Sequence, residues 1–128
     1  MDILFKDKNH ENFFFRKYKE LNVSSDNRDM VAFLYLIGMY ESSRTIFGKL
    51  FDPETRTVLP EGLADPSLTD SSLSAVMLAF NLYTWSSSFV EEIGINMTDL
   101  SVANIFRRND CTYYVQALKL WNPYGFDR

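Results

Sequence analysis

Residues 30–40, MVAFLYLIGMY, constrain the fold more than any other part of the chain, because none of these side chains carries a charge. A segment that is apolar on all sides must be buried, and this one is too short to span a bilayer, which needs about 20 apolar residues. Periodicity alone does not separate a buried helix from a buried strand. Only Val31 and Ile37 are β-branched, and the preceding residues 24–27, SSDN, are typical helix N-caps. We therefore predict a buried helix around which the other elements pack.

Helical periodicity recurs along the chain and predicts an all-α fold. We expect a single compact domain, residues 1–128, with five to six helices. The further helical segments are 9–21, 44–51, 71–85, 99–108 and 111–121.

Local patterns predict how some of these helices begin and which faces they bury. In the first helix Asp7 is the expected cap. Phe14, Tyr18 and Leu21 form an apolar face with Phe15 beside them, and Phe13 widens this face.

Two further details concern the short helices. Ser42 or Ser43 is expected to cap the third helix. In the segment 99–108 we expect Leu100, Ala103 and Phe106 to face the core and Ile105 to lie near its edge.

A long irregular loop, residues 52–70, is predicted between the third and fourth helices, since it holds three of the four prolines. Loops of this length are often functional or mobile. The alternative is a packed surface loop anchored by Val58, Leu59 and Leu63, and the sequence leaves both interpretations open.

The aromatic content exceeds what a small core needs. Eleven Phe, seven Tyr and two Trp are present, so we expect some rings to lie on the surface.

Cysteine content limits the chemistry available to the chain. The single Cys111 excludes an internal disulfide and a zinc site built on paired cysteines, and one free thiol fits a reducing compartment. Residues 1–14 lack the pattern of a signal peptide. We predict a cytoplasmic protein with no membrane span, no metal site and no cofactor.

Charge is distributed unevenly. Residues 52–106 carry eight acidic side chains and one arginine, a net charge of −7, whereas the whole chain carries −4. An acidic region disfavours nucleic acid and attracts a basic protein surface, although loop acids also serve solubility. The predicted protein-binding residues are Glu54, Glu61, Asp65, Asp70, Glu91 and Glu92.

Three pieces of the sequence together carry a family resemblance. They are Phe5-Lys6-Asp7 with His10 and Phe13-Phe14; Phe51-Asp52 with Thr55, Val58 and Pro60-Glu61-Gly62-Leu63; and Ala79-Phe80-Asn81-Leu82-Tyr83. The chain resembles a family of small uncharacterised proteins of Firmicutes and of their phages and mobile elements. It departs from that pattern between Gly62 and Leu73, where LADPSLTDSS replaces an expected tryptophan–glutamine pair and threonine. The resemblance implies a bacterial host or phage context and no assigned activity.

Three functional hypotheses follow. The first is a protein-binding module, in its most specific form an inhibitor of a bacterial defence nuclease such as a CRISPR effector. The second is a small hydrolase using Asp7, His10 and Glu11, since the only histidine lies between two carboxylates. The third is a nucleic-acid-binding protein that uses the basic side chains of the first helix, Arg16, Lys17 and Lys19.

Overall fold

The computed structural model describes residues 2–89, 101–107 and 109–126. Within these ranges the chain forms seven α-helices and one short hairpin, which confirms the all-α prediction. The helices are α1 (Lys8–Glu20), α2 (Arg28–Ile37), α3 (Glu41–Thr45), α4 (Phe47–Leu50), α5 (Asp70–Thr84), α6 (Val102–Phe106) and α7 (Cys111–Trp121). The strands are β1 (Phe51–Asp52) and β2 (Thr57–Val58), and 3₁₀ helices cover Pro60–Ala64 and Pro123–Gly125.

Helix α2 is the centre of the fold, as its apolar sequence predicts. Every residue from Met30 to Ile37 is buried, and the helix packs mainly against α5 and α7, with α1 on a further side. Asn27 caps it, because its side-chain oxygen accepts the N–H of Met30 at 3.3 Å. The burial of these apolar side chains is a major source of hydrophobic stabilisation for the fold.

Helix α1 begins near the predicted position and buries the predicted face in part, since Phe14 is buried and Tyr18 and Leu21 pack against the core. Asp7 is the N-cap. The buried residues are His10, Phe13 and Phe14, whereas Phe15 is 51% exposed. The expectation that Phe15 lies beside the buried face is therefore wrong. Each step along a helix turns the side chain by about 100°, so a helix that buries Phe14 and Phe13 turns Phe15 toward solvent.

The predicted irregular loop 52–70 consists mostly of turns and irregular segments, and it also contains two short strands and a 3₁₀ helix. Strands β1 and β2 pair antiparallel, with Phe51 opposite Val58. The 3₁₀ helix that follows packs against α4, so closely that a Cβ added to Gly62 would lie 2.3 Å from the Lys49 carbonyl oxygen. Leu63 is buried, so the interpretation of a packed and anchored loop is confirmed at this residue.

The short helix α6 follows the prediction only in part. Phe106 is half-buried against the core as expected, and Leu100 lies outside the described residues. Ile105 is buried, whereas Ala103 is exposed. Ser101 caps this helix by accepting the N–H of Asn104 at 3.1 Å. A helix of five residues has fewer than two turns, so its packing against α5 and α7 decides which side it buries.

No helix among residues 2–89, 101–107 and 109–126 combines the length and the apolar character needed to cross a membrane.

Candidate functional site

The predicted acidic binding residues lie in different elements. Glu54 is exposed in the loop between β1 and β2, Glu61 in the first 3₁₀ helix, and Asp70 at the first turn of α5. Glu91 and Glu92 lie outside the described residues. The side chains of Glu54, Glu61 and Asp70 are exposed to solvent.

Asp65 has a structural role instead. Its carboxylate accepts hydrogen bonds from the side chain of Ser67 at 2.6 Å and from the Ser67 backbone N–H at 2.9 Å. Lys49 donates to it at 3.0 Å. The two bonds from Ser67, followed by Lys49, lower the pKa of Asp65 from 3.8 to about 2. The hydrogen bond between Asp65 and Lys49 thus links the loop to α4.

His10 is fully buried, and both of its ring nitrogens bind backbone groups. The N–H of Lys6 donates to Nδ1 at 3.0 Å, so the proton of the neutral ring lies on Nε2, which donates to the Tyr35 carbonyl at 2.7 Å. Burial is the main cause that lowers the pKa of His10 from 6.5 to about 4. The ring therefore joins the N-terminal segment to α2 and is not accessible as a base.

The neighbouring carboxylates also have structural partners. Asp7 accepts the backbone N–H of His10 at 2.8 Å rather than contacting its ring. Glu11 pairs with Lys8 at 3.2 Å. These contacts give the hydrolase hypothesis no support.

Both tryptophans of the chain meet at one carboxylate. The indole N–H groups of Trp85 and Trp121 donate to the same oxygen, Oδ1 of Asp29, at 3.1 and 2.9 Å. The two rings are edge-on, with centroids 5.8 Å apart. Together with Asn122 these residues line a cleft of about 300 Å³, which we call the tryptophan cleft.

Three helix ends create this cleft. Asp29 lies in the first turn of α2, Trp85 follows the last residue of α5, and Trp121 is the last residue of α7. The N-terminus of a helix favours a nearby negative charge, and the Asp29 carboxylate lies at that end of α2.

Trp85 has an unusual backbone conformation. Its φ of 60° and ψ of 27° are left-handed, and its N–H closes the end of α5 on the Asn81 carbonyl at 2.8 Å. This conformation costs a residue other than glycine about 1–2 kcal/mol, and glycine is the usual residue at such a position. The side chain is also 74% exposed. Backbone strain of this kind occurs often at functional sites, and here it is found at an exposed tryptophan.

A larger apolar groove of about 500 Å³ lies between α1, α2 and α7. Its lining includes the apolar side chains of Ile3, Phe14, Phe15, Val31 and Leu120 and the basic side chains of Arg28 and Lys119.

Exposed rings continue from the groove toward the C-terminal 3₁₀ helix. Tyr124 is 73% exposed, and the Arg28 guanidinium lies over its ring at 4.8 Å. Phe126 is also exposed, with the Lys119 ammonium 5.9 Å from its ring centroid.

The groove and the tryptophan cleft are neighbours. Arg28 lines the groove and Asp29, the next residue, lines the cleft. Pro123 likewise lines the groove, and the residue before it, Asn122, lines the cleft. We call the combined region the aromatic surface, and its exposed or half-exposed rings are those of Phe15, Trp85, Trp121, Tyr124 and Phe126.

The sequence predicted that some rings would be exposed, which is confirmed, but it did not indicate which ones. Asp29 was not among the predicted binding residues. The surplus of aromatic side chains over the needs of the core was the only sequence signal for this region.

No three His, Cys, Asp or Glu side chains in the described part of the chain come together in a group that could hold a metal ion.

Comparison with known proteins gives a family but no relative of known activity. Searches of curated proteins and of solved structures found no match to the chain. One family model matches residues 1–127. The chain therefore belongs to a family of unknown function (DUF6075).

Proposed function

We propose that this protein acts by binding another protein through the aromatic surface. The observation that carries the proposal is the group of exposed rings beside an apolar groove. Tryptophan, tyrosine and arginine are the residues that contribute most often to binding energy at protein interfaces, and all three are present here.

The exposed acids add a second contribution to the proposal. Glu54, Glu61 and Asp70 are exposed and form no side-chain hydrogen bond or ion pair with other described residues. Charges of this kind mainly increase the rate of association with an oppositely charged partner, and salt screens them. We therefore propose a partner with a basic surface.

A more specific form of the proposal is inhibition of a bacterial defence nuclease, such as a CRISPR effector, by a cytoplasmic protein of phage or mobile-element origin. Its supports are the family resemblance and the acidic region. An acidic protein can occupy a channel that normally binds nucleic acid.

Direct nucleic-acid binding through α1 has weaker support. Lys17 pairs with Glu20 at 3.1 Å, and its ammonium also lies 4.9 Å from the centroid of the Phe47 ring. Arg16 lies over the Phe13 ring at 5.8 Å. These intramolecular contacts compete with contacts to phosphate.

The proposal is tested by affinity capture from bacterial lysate. The double variant Phe15→Ala, Tyr124→Ala removes two exposed rings, and we expect it to lose most of the captured partner. Val102→Ala is the control, because Val102 is also an exposed apolar residue, at 74%, but lines neither the groove nor the cleft. Equal capture by the double variant and the wild type, at equal thermal stability, would contradict the proposal.

The charge contribution has a separate test. The variant Glu54→Lys, Glu61→Lys leaves Asp65 and its contacts intact, and we expect slower association with a basic partner at low salt and little difference at high salt. The control reverses the charges of α1 by Arg16→Glu and Lys19→Glu. Loss of capture in the control alone would favour a basic face that meets nucleic acid.

A further inference from the structure

We propose that the tryptophan cleft binds the guanidinium group of an arginine side chain presented by the protein partner. This inference rests on the proposed function, since it names the chemistry by which that partner is recognised. It concerns Asp29, Trp85 and Trp121.

The charge of the cleft is the first argument. Asp29 is half-buried, and within residues 2–89, 101–107 and 109–126 it forms no ion pair. The neighbouring Arg28 is directed elsewhere, over the ring of Tyr124, to whose hydroxyl it donates at 3.3 Å. A cation brought by a partner would therefore supply the missing opposite charge.

The use of the carboxylate oxygens is the second argument. Both indole N–H groups bind Oδ1 of Asp29. The other oxygen, Oδ2, accepts no hydrogen bond from the described residues. An ionised carboxylate can accept several hydrogen bonds, so Oδ2 is free to accept an N–H donor from a ligand.

The indole rings that line the cleft favour a planar cation. A cation near the face of an indole ring is attracted by the ring quadrupole, and Trp85 is largely exposed. A planar guanidinium can stack on such a ring and still donate hydrogen bonds in its own plane. An ammonium group offers the charge without the planar stacking, which favours arginine over lysine.

The conformation of Trp85 is the third argument. Glycine would close α5 in the same left-handed conformation without strain. The hydrogen bond to Asp29 holds the exposed indole at the cleft. The backbone conformation alone would favour glycine at this position, yet the residue is a tryptophan whose ring reaches the cleft.

A purely structural role for the three residues is the competing explanation. In that case the Asp29 carboxylate only ties the ends of α5 and α7 to α2, and its charge is incidental. The substitution Asp29→Asn separates the two explanations, because an amide oxygen can still accept both indole N–H groups while the negative charge is lost.

The experiment uses the two indole N–H signals in ¹H–¹⁵N NMR spectra of the full chain. The chain has two tryptophans, and both line the cleft, so each indole signal reports on it directly. The probe is N-acetyl-arginine amide, and its neutral counterpart is N-acetyl-citrulline amide. We expect saturable shifts of both signals with the arginine probe and no saturable shift with the citrulline probe.

The variants give the quantitative test. Asp29→Asn should weaken binding of the arginine probe about fivefold, the value of a partly exposed charge interaction, while the variant still unfolds cooperatively with only a small loss of thermal stability. Trp85→Ala should weaken it similarly, read from the remaining Trp121 signal, and it keeps the test valid if Asp29→Asn disturbs the fold. Equal shifts with citrulline, no shift up to the solubility limit of the probe, or equal affinity in all variants would overturn the inference. Tighter binding of N-acetyl-lysine amide would overturn the assignment to arginine.

Failure of this inference and failure of the proposed function give different results. Capture that is lost in Phe15→Ala, Tyr124→Ala but kept in Asp29→Asn and Trp85→Ala would leave the protein-binding proposal standing and refute the arginine cleft. Capture that is unaffected by every variant would refute the protein-binding proposal, whereas the titration would still decide on the cleft.

Discussion

Acidification is expected to destabilise the protein through His10. The ring is buried, and the folded state holds its pKa at about 4, compared with 6.5 for an exposed histidine. The unfolded state therefore takes up a proton at a higher pH than the folded state does. The stability that the neutral ring contributes is complete above pH 6.5 and is lost as the pH falls toward 4.

The size of the effect follows from the pKa difference. A difference of about 2.5 units corresponds to about 3 kcal/mol, since each unit is worth about 1.4 kcal/mol. About 2 kcal/mol of this loss falls between neutral pH and pH 5, where most carboxylates are still ionised. That amount is a large fraction of the stability of a typical domain.

Urea unfolding at a series of pH values measures this loss. The control is His10→Asn, which lacks the titrating group and should show a much flatter pH dependence above pH 5, although its stability is lower throughout. The chain has one histidine, so NMR can also follow its ring protons directly. A measured pKa near 6.5 in the folded protein, or the same pH dependence in wild type and variant, would refute the argument that the ring is buried and bonded on both sides.

Four substitutions test the packing. Gly48→Ala should stabilise the protein by up to about 1 kcal/mol in urea unfolding, because no atom lies within 4 Å of the added Cβ and alanine favours the helix. Gly62→Ala should cost about 1–3 kcal/mol, since its Cβ would meet the Lys49 carbonyl. Leu36→Asp should prevent cooperative thermal unfolding, because it places an unpaired charge in the core. Trp85→Gly should change the free energy of unfolding by less than about 1 kcal/mol, since the strain that is relieved offsets the exposed hydrogen bond that is lost.

The elements that the sequence predicts correctly are those with strong local signals. Helix α7 has the predicted bounds, 111–121, because its apolar face repeats over three turns. Helix α2 follows from a run of apolar residues that can only be buried. Helix α5 (Asp70–Thr84) lies within one residue of the predicted segment 71–85 at each end, since its apolar residues recur at helical spacing.

Where prediction fails, a tertiary contact uses the residue differently. Ser43 was a candidate cap for the third helix. Its hydroxyl instead donates to the Ile37 carbonyl at 2.6 Å, so it satisfies the end of α2. A hydroxyl can bond a backbone N–H or a backbone carbonyl with equal ease, and the local sequence does not distinguish the two.

The tryptophan cleft could not be predicted for a related reason. Asp29 is separated from Trp85 by 56 residues and from Trp121 by 92. No periodicity or motif links positions so far apart, and the cleft exists only because three helix ends converge. Net charge predicts an acidic binding region, but it does not indicate which carboxylates already have partners within the fold. Asp65 is an example, because its carboxylate already accepts a hydrogen bond from Lys49 within the fold.

The residues that carry the family resemblance are chiefly those that build the scaffold. His10 joins the N-terminal segment to α2, Gly62 permits the close packing of the loop on α4, and Phe80 is fully buried. Even the polar Asn81 donates to the Ser86 carbonyl at 3.1 Å and shapes the turn after α5. A pattern made of such residues specifies how the chain folds and leaves open what its surface binds. Apart from the buried Phe14, the aromatic residues of the aromatic surface lie outside that pattern, as does Asp29 in the cleft. Substitutions of its exposed rings should therefore change binding while the scaffold keeps its stability.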